Sequence, residues 1–279
     1  MPLLSLLALT CELTRLYHQW EFHSQYAVLL SLTQAITDIR ILPLGDSITW
    51  GYGSTSGSGY RGFLLNLLTS TNSSFSNDNI TYIGSLTSGN LPPPNNANEG
   101  HVGAVISQIA DFAKVDLSWN GSLEGDVVLL MAGTNDMFRA NLPLPEAPDR
   151  LGALIDEIVA AWPKAAVLVA TLTPSAINDT QGNIDAYNKQ VPVVVNARAK
   201  AGNRTLVVSM ANVTVGTEVD GLHPNDIGYG IMAQAWYEGL LEAKSKGWIE
   251  GVASGAVRVT GKSLIMWLAV VALMLWNCV

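Results

Sequence analysis

The stretch "DVVLLMAG" (126–133) decides the fold. From Val127 to Ala132 it is apolar without interruption, with none of the polar alternation of a half-exposed strand. A strand of that kind is buried on both faces, which places it inside a parallel sheet covered by helices. "IRILPLG" (39–45), "AAVLVATLT" (165–173) and "TLVVSM" (205–210) repeat the pattern, and "ITYIGSL" (80–86) reads as a fifth strand. Helical spacing fills the gaps. It is seen in "GYRGFLLNLLTS" (59–70) through Phe63, Leu64, Leu67 and Leu68, and in "VGAVISQIADFAKV" (102–115) through Val105, Ile106, Ile109 and Phe112. "APDRLGALIDEIVAAWP" (147–163) and a last segment from Asp226 to Lys246 follow suit. "IDAYNKQVPVVVNARAKAG" (184–202) is a weaker helix, since Pro192 removes a backbone donor. The Asn- and Pro-rich "SGNLPPPNNANEGH" (88–101) reads as a loop. This alternation predicts an α/β fold, a three-layer α/β/α sandwich around a five-stranded parallel sheet.

Of the 279 residues, 48% are hydrophobic and 14% charged. "PLLSLLAL" (2–9) and "YAVLLSL" (26–32) are apolar runs of signal-peptide type, and "TQA" supplies a cleavage pattern ending at Ala35. At the other end, "ASGA" (253–256), "VRVTGKS" (257–263) and the 13-residue apolar run 264–276 follow the order of a glycolipid-anchor signal. A short tail anchor is the alternative reading. The expected organisation is therefore a signal peptide or N-terminal extension over 1–35, one domain over 36–250, and a spacer with a GPI-anchor signal or tail anchor over 251–279. Six sequons, at Asn72, Asn79, Asn120, Asn178, Asn203 and Asn212, agree with passage through the secretory pathway to the cell surface or exterior. Cys11 and Cys278 both fall in the terminal segments, so the domain has no disulfide and no thiol nucleophile. Between 36 and 254, 12 Lys and Arg oppose 21 Asp and Glu with no basic cluster, which argues against nucleic acid as a partner. A monomer is expected.

Ligands of open parallel sheets bind beyond the carboxyl ends of the strands. Ser47 follows the first strand in "ILPLGDSITW" (41–50), and Thr134, Asn135 and Asp136 follow the strand that opened this section. "EGHVGA" (99–104) and "EVDGLHPNDIGYG" (218–230) reach the same edge, the latter with Asp220 three residues before His223. A serine hydroxyl is inert at neutral pH without a base. Of the four histidines, His18 and His23 lie in the N-terminal segment, leaving His101 and His223. Only His223 has a nearby carboxylate to fix its tautomer and steady the imidazolium, so Ser47, His223 and Asp220 are the candidate catalytic residues. Such a base predicts a rate that falls as the imidazole takes up a proton. The oxyanion of acyl transfer needs donors, for which the Ser47 N–H, the Asn135 amide and the N–H of Gly103, at the start of a helix, are the candidates. Gly100 competes with Gly103 for that place.

Together these residues resemble the SGNH (GDSL-type) hydrolases. "GDSIT" (45–49), "HVGAVI" (101–106), "GTND" (133–136) and "DGLHPN" (220–225) are similar to the four blocks of that superfamily and occur in its order. The resemblance implies the flavodoxin-like SGNH fold, Ser47 as nucleophile, Gly103 and Asn135 in the oxyanion hole, and an acid–base pair of Asp220 and His223. "GDSITWGYGSTSGSGYRGFL" (45–64) with "EGHVGA" is most similar to acetylxylan-esterase-type enzymes of carbohydrate esterase family 3, although Val102 and Ala104 depart from that pattern. The implied activity is removal of acetyl groups from an acetylated polysaccharide or small ester, with no cofactor and no metal. Trp50, Tyr60 and Arg61 are candidate substrate contacts, with Tyr52 beside them, and Arg61 has a second reading as a brace for the loop. The Gly- and Ser-rich 51–59 reads as a mobile rim able to admit a polymer.

Two other classes compete. "GSGYRG" (57–62) is a literal dinucleotide-binding string, but it stands 12 residues beyond the preceding strand, where that motif needs a tight turn. A cell-wall carbohydrate-binding protein that keeps the fold without turnover is the non-enzymatic alternative. Among esterases, lipid or thioester acyl groups are the second choice.

Overall fold

The computed structural model describes residues 33–117, 124–139 and 143–259. The N-terminal apolar runs, both cysteines, Asn120 and the apolar run 264–276 lie outside the described residues. In chain order the elements are β1 (Thr33–Gly45), α1 (Ser47–Trp50), α2 (Tyr60–Thr69), β2 (Asn79–Tyr82), β3 (Leu86–Thr87), β4 (Ala97–Gly100), α3 (Ile106–Leu117), β5 (Val127–Met131) and α4 (Thr134–Arg139). There follow α5 (Ala147–Ala161), β6 (Ala166–Ala170), α6 (Thr180–Lys200), β7 (Thr205–Val208), α7 (Asp226–Ser245) and β8 (Val252–Val259).

The five expected strands are present and parallel. β1 pairs with β2 along Asp38–Ile41 and with β5 along Ile41–Gly45, and β6 and β7 continue the sheet beyond β5. Every residue of β5 and β6 is buried, the condition that an unbroken apolar run meets only between two helical layers. Helices α2 and α7 pack together on one side, and α3, α5 and α6 on the other. One compact unit spans Thr37–Val252, and a second takes in the described residues on either side of it. β1 begins at Thr33, two residues ahead of the boundary drawn at Ala35.

Three strands go beyond the five. β4 runs parallel to the last residues of β1, Leu44 opposite Glu99 and Gly45 opposite Gly100, and β3 pairs antiparallel with it. "ANEG" carries no strand pattern, since backbone pairing rather than side-chain packing makes it a strand, so the sequence assigned it to a loop. β8, which also pairs with β1, falls where a spacer was expected. α6 is a continuous 21-residue helix despite Pro192. Its buried stripe of Ile184, Tyr187, Val191 and Val195 outweighs the missing N–H, and Pro192 lies on a half-buried flank. α4 is a helix where turn chemistry alone was apparent.

Strand order places the site. β4 and β5 flank β1 on opposite sides at Gly45, so the chain leaving β1, β4 and β5 emerges at three adjacent strand ends. Those exits lead to Ser47, Gly103 and Asn135 respectively.

Candidate active site

The nucleophile turn is built from the end of β1 upward. An added Cβ on Gly45 would sit 2.3 Å from Met131 O and 2.4 Å from Thr49 Oγ1, so only glycine lets β1 run this close to β5 and to α1. Asp46 Oδ1 accepts the Ile48 N–H at 2.9 Å and caps the short helix that begins at Ser47. Burial pushes the Asp46 carboxyl up to about 6, against the pull of the Ile48 N–H and the neighbouring Thr134 hydroxyl. Its Oδ2 faces that hydroxyl without a well-formed hydrogen bond.

Ser47 Oγ lies 2.9 Å from His223 Nε2, although 176 positions separate the two residues. His223 Nδ1 lies 2.8 Å from Asp220 Oδ2, while Asp220 Oδ1 accepts the backbone N–H groups of His223 at 2.9 Å and Leu222 at 3.1 Å. Burial alone would raise the Asp220 carboxyl. The His223 backbone and ring and the Leu222 N–H together outweigh burial and hold it below the ordinary value. Two residues earlier, burial and the Asp220 charge lift Glu218 to about 7, against the Ala176 N–H. The geometry is that of a hydroxyl whose proton can pass to an imidazole held by a carboxylate.

Asn135, 5% exposed in the first turn of α4, donates an Nδ2 proton to Ala104 O at 3.0 Å. A side-chain amide has two N–H groups, so one remains for a ligand. That bond also ties the glycine loop to α4. Gly103 adopts φ +79°, in the left-handed region, two residues short of the Val105 that precedes α3. It therefore does not open the helix as expected. The Ile106 N–H at the helix start is taken by Asp136 Oδ2 at 2.9 Å. Gly100 has a packing role: a Cβ there would lie 2.3 Å from Trp50 N. His101, the alternative base, has a carboxylate close in sequence as well, which corrects the expectation that only His223 does: its Nε2 pairs with Glu99 Oε2 at 2.9 Å, and its ring stacks on Phe112 rather than reaching Ser47.

Two expectations about substrate contacts, Tyr60 and Arg61, are corrected, and the second reading of Arg61, as a brace for the loop, is the one the structure bears out. Tyr60 is fully buried against Trp236, with ring centroids 5.7 Å apart. Arg61 is fully buried too and donates to Thr49 O, Trp50 O, Asn96 O, Ser88 O and Ser88 Oγ. Both are braces beneath the loop, out of reach of any substrate, because five oxygens satisfy the guanidinium from inside. Trp50 is half-exposed beside Gly100 and Gly103 and remains the one aromatic of that set facing a groove.

The loop 51–59 is anchored instead of mobile. Tyr229 Oη donates to Tyr52 O at 2.6 Å, and Thr55 donates through N and Oγ1 to Asp226. Tyr52 in turn lies against the His223 ring, centroids 4.5 Å apart. Its glycines serve close contact, as a Cβ on Gly51 would be 2.5 Å from Gly57 O. Sequence reasoning placed Asp136 at this edge without giving it a role; its Oδ1 meets Arg150 Nη2 at 3.0 Å while Oδ2 caps α3. An acid after Thr-Asn in a first helical turn was the available signal.

Residues 44–231 match the GDSL-like Lipase/Acylhydrolase family. A multidomain esterase from Ruminococcus flavefaciens is 27% identical over 246 residues, 76% of this chain, and this chain spans 30% of its length. The solved family 3 carbohydrate esterase of Clostridium thermocellum is 32% identical with a TM-score of 0.63, covering 74% of this chain and 98% of that one. A carbohydrate esterase family 3 structure from Talaromyces cellulolyticus, 23% identical with a TM-score of 0.61 over 75% of this chain and 99% of its own, shares the fold. With well over half its length matched, the chain belongs to the GDSL-like lipase/acylhydrolase family.

Proposed function

We propose that the protein removes acetyl groups from carbohydrate, with Ser47 as nucleophile, His223 as base and Asp220 as its partner. The observation that carries this reading is the unbroken chain of contacts from Ser47 Oγ through the imidazole to Asp220, at 2.9 and 2.8 Å. As the Ser47 oxygen attacks the acetyl carbonyl, its proton moves to His223 Nε2. Asp220, already ionised below the ordinary carboxylate range, stabilises the imidazolium. Negative charge developing on the carbonyl oxygen meets the free Asn135 amide proton and the N–H groups of Ser47 and Gly103. The sugar oxygen leaves with the proton from His223, and water then releases acetate by the same steps in reverse. The relatedness to a carbohydrate esterase at 32% identity supports the sugar as the alcohol half.

The test is hydrolysis of an aryl acetate, an aryl octanoate and acetylated xylan fragments by the purified protein and by Ser47→Ala. The acetates are expected to be cleaved, with Ser47→Ala lower by at least ~10³-fold. Background rates in both proteins would favour the carbohydrate-binding alternative, and a preference for octanoate the lipid acylhydrolase.

The same proposal places the enzyme in the secretory pathway, N-glycosylated and anchored at the cell surface through its C-terminal tail or a GPI lipid. Asn72, Asn79, Asn178 and Asn212 are exposed and Asn203 is half-buried, as sugar acceptors on a folded domain must be. Among the described residues no helix is long and apolar enough to cross a membrane. Release from cells by a phosphatidylinositol-specific phospholipase, with a mobility shift on deglycosylation, checks both parts; retention on the membrane after that treatment rules out the lipid anchor.

A further inference from the structure

We infer that the groove beside the glycine loop is a subsite for a carboxylate-bearing sugar, with Arg139 receiving the carboxylate. This rests on the carbohydrate reading above and names the substrate class more narrowly. The groove holds about 370 Å³, with Trp50, His101, Phe112 and Arg139 around Gly100 and Gly103. Trp50 ends the same short helix that Ser47 begins, so the groove opens beside the reacting centre.

Its walls are of two kinds. The His101 ring lies flat on Phe112, centroids 3.9 Å apart and planes 6° from parallel, and the buried Glu99 carboxylate fixes it through Nε2. A rigid ring pair beside a half-exposed indole suits the apolar face of a pyranose. Arg139 provides the second kind. Its Nη2 lies 3.0 Å from where a Cβ on Gly103 would stand, so the guanidinium rests on the bare face of that glycine. Arg139 is exposed and, among the described residues, makes no hydrogen bond or ion pair. The neighbouring acids are engaged elsewhere: Asp136 with Arg150 and Ile106, Glu99 with His101 and Ser85. An unpartnered planar fork of donors matches a carboxylate in bidentate fashion, which the hydroxyls of a neutral sugar do not offer. The surrounding domain is acidic, and its repulsion is screened beyond about 8–10 Å in physiological salt.

The experiment compares two acetylated oligosaccharides of one backbone, one with a uronate side group and one with the corresponding amide. In the unaltered protein kcat/KM is expected to favour the uronate by about fivefold at low salt, approaching parity in 1 M NaCl. Arg139→Gln is expected to bring the ratio to about one, and Arg139→Lys to retain part of it. Parity in the unaltered protein, or a preference that Arg139→Gln leaves intact, overturns the inference. Calorimetric titration of Ser47→Ala with the two deacetylated oligosaccharides separates the two readings. Selective uronate binding that depends on Arg139 keeps the subsite even if no sugar acetate is hydrolysed, in which case the esterase reading falls. Equal binding of both sugars overturns the subsite even if both acetates are cleaved.

Discussion

Asp46 Oδ1 holds the turn that presents Ser47, while Oδ2 has no good donor in a site with no water-exposed surface. Its carboxyl, raised to about 6, binds its proton more tightly in the folded chain than in the unfolded one. The folded state then holds more protons between pH ~4 and ~6, so stability falls as pH rises through that window and levels off above it. Keeping Asp46 ionised at neutral pH costs on the order of 3 kcal/mol. Asp46→Asn keeps the capping oxygen and removes the charge. It is expected to raise the urea midpoint at pH 8 and flatten the slope between pH 4 and 6; an unchanged slope would assign that pH dependence to another group. Asp220 has the opposite sign. A carboxyl held below its ordinary value contributes in mild acid and loses its contribution only as pH falls through that lower value. Asp220→Asn is expected to lower kcat by about 10³–10⁴-fold with KM little changed. A loss under tenfold would mean that the carboxylate does not orient the imidazole. Ser47, Asp220, His223 and Asn135 were legible because their residue types and order carry the chemistry. Asp46 and Asp136 were not, since a capping or bridging carboxylate differs from any other acid only in what it meets in space.

Asp136 shows what elements ask of one another at this sheet edge. Its two oxygens join the start of α3 to Arg150 on α5, and the segment leading into α3 carries Gly103. Asp136→Ala is expected to lower stability by about 2–4 kcal/mol, because the half-buried Arg150 pair and the helix cap are lost together. Activity should fall as well, since the glycine loop loses its footing. Stability within 1 kcal/mol of the unaltered protein in a urea titration would show that α3 is held by its apolar face alone. The helices and the five parallel strands were legible because each buries a periodic apolar pattern. β3 and β4 were hidden, as their stability lies in backbone pairing and in buried polar side chains such as Asn98 and Glu99. The same blindness turned Tyr60 into a surface residue on paper and left Arg61 undecided between substrate contact and brace, because a sequence does not say that five oxygens await a guanidinium.

At the scale of the whole molecule, the unit Thr37–Val252 contains the sheet core, both helical layers and every residue of the site. Produced alone, it is expected to unfold in one cooperative urea transition and to cleave an aryl acetate within twofold of the full chain. A broad, multiphase transition would show that the terminal unit contributes to its folding. The topology was readable from alternation alone, but the character of the Gly- and Ser-rich loop was not. Composition suggested slack, whereas the glycines there serve contact between backbones. That contact bears on redesign. Because Tyr52 backs the His223 ring and Tyr229 and Asp226 grip residues 52 and 55, lengthening this segment to accommodate bulkier acyl donors would unseat the base before it widened the entrance. Grafts meant to retune selectivity belong at the exposed residues 92–94, where added chain can grow outward and leave the proton path undisturbed.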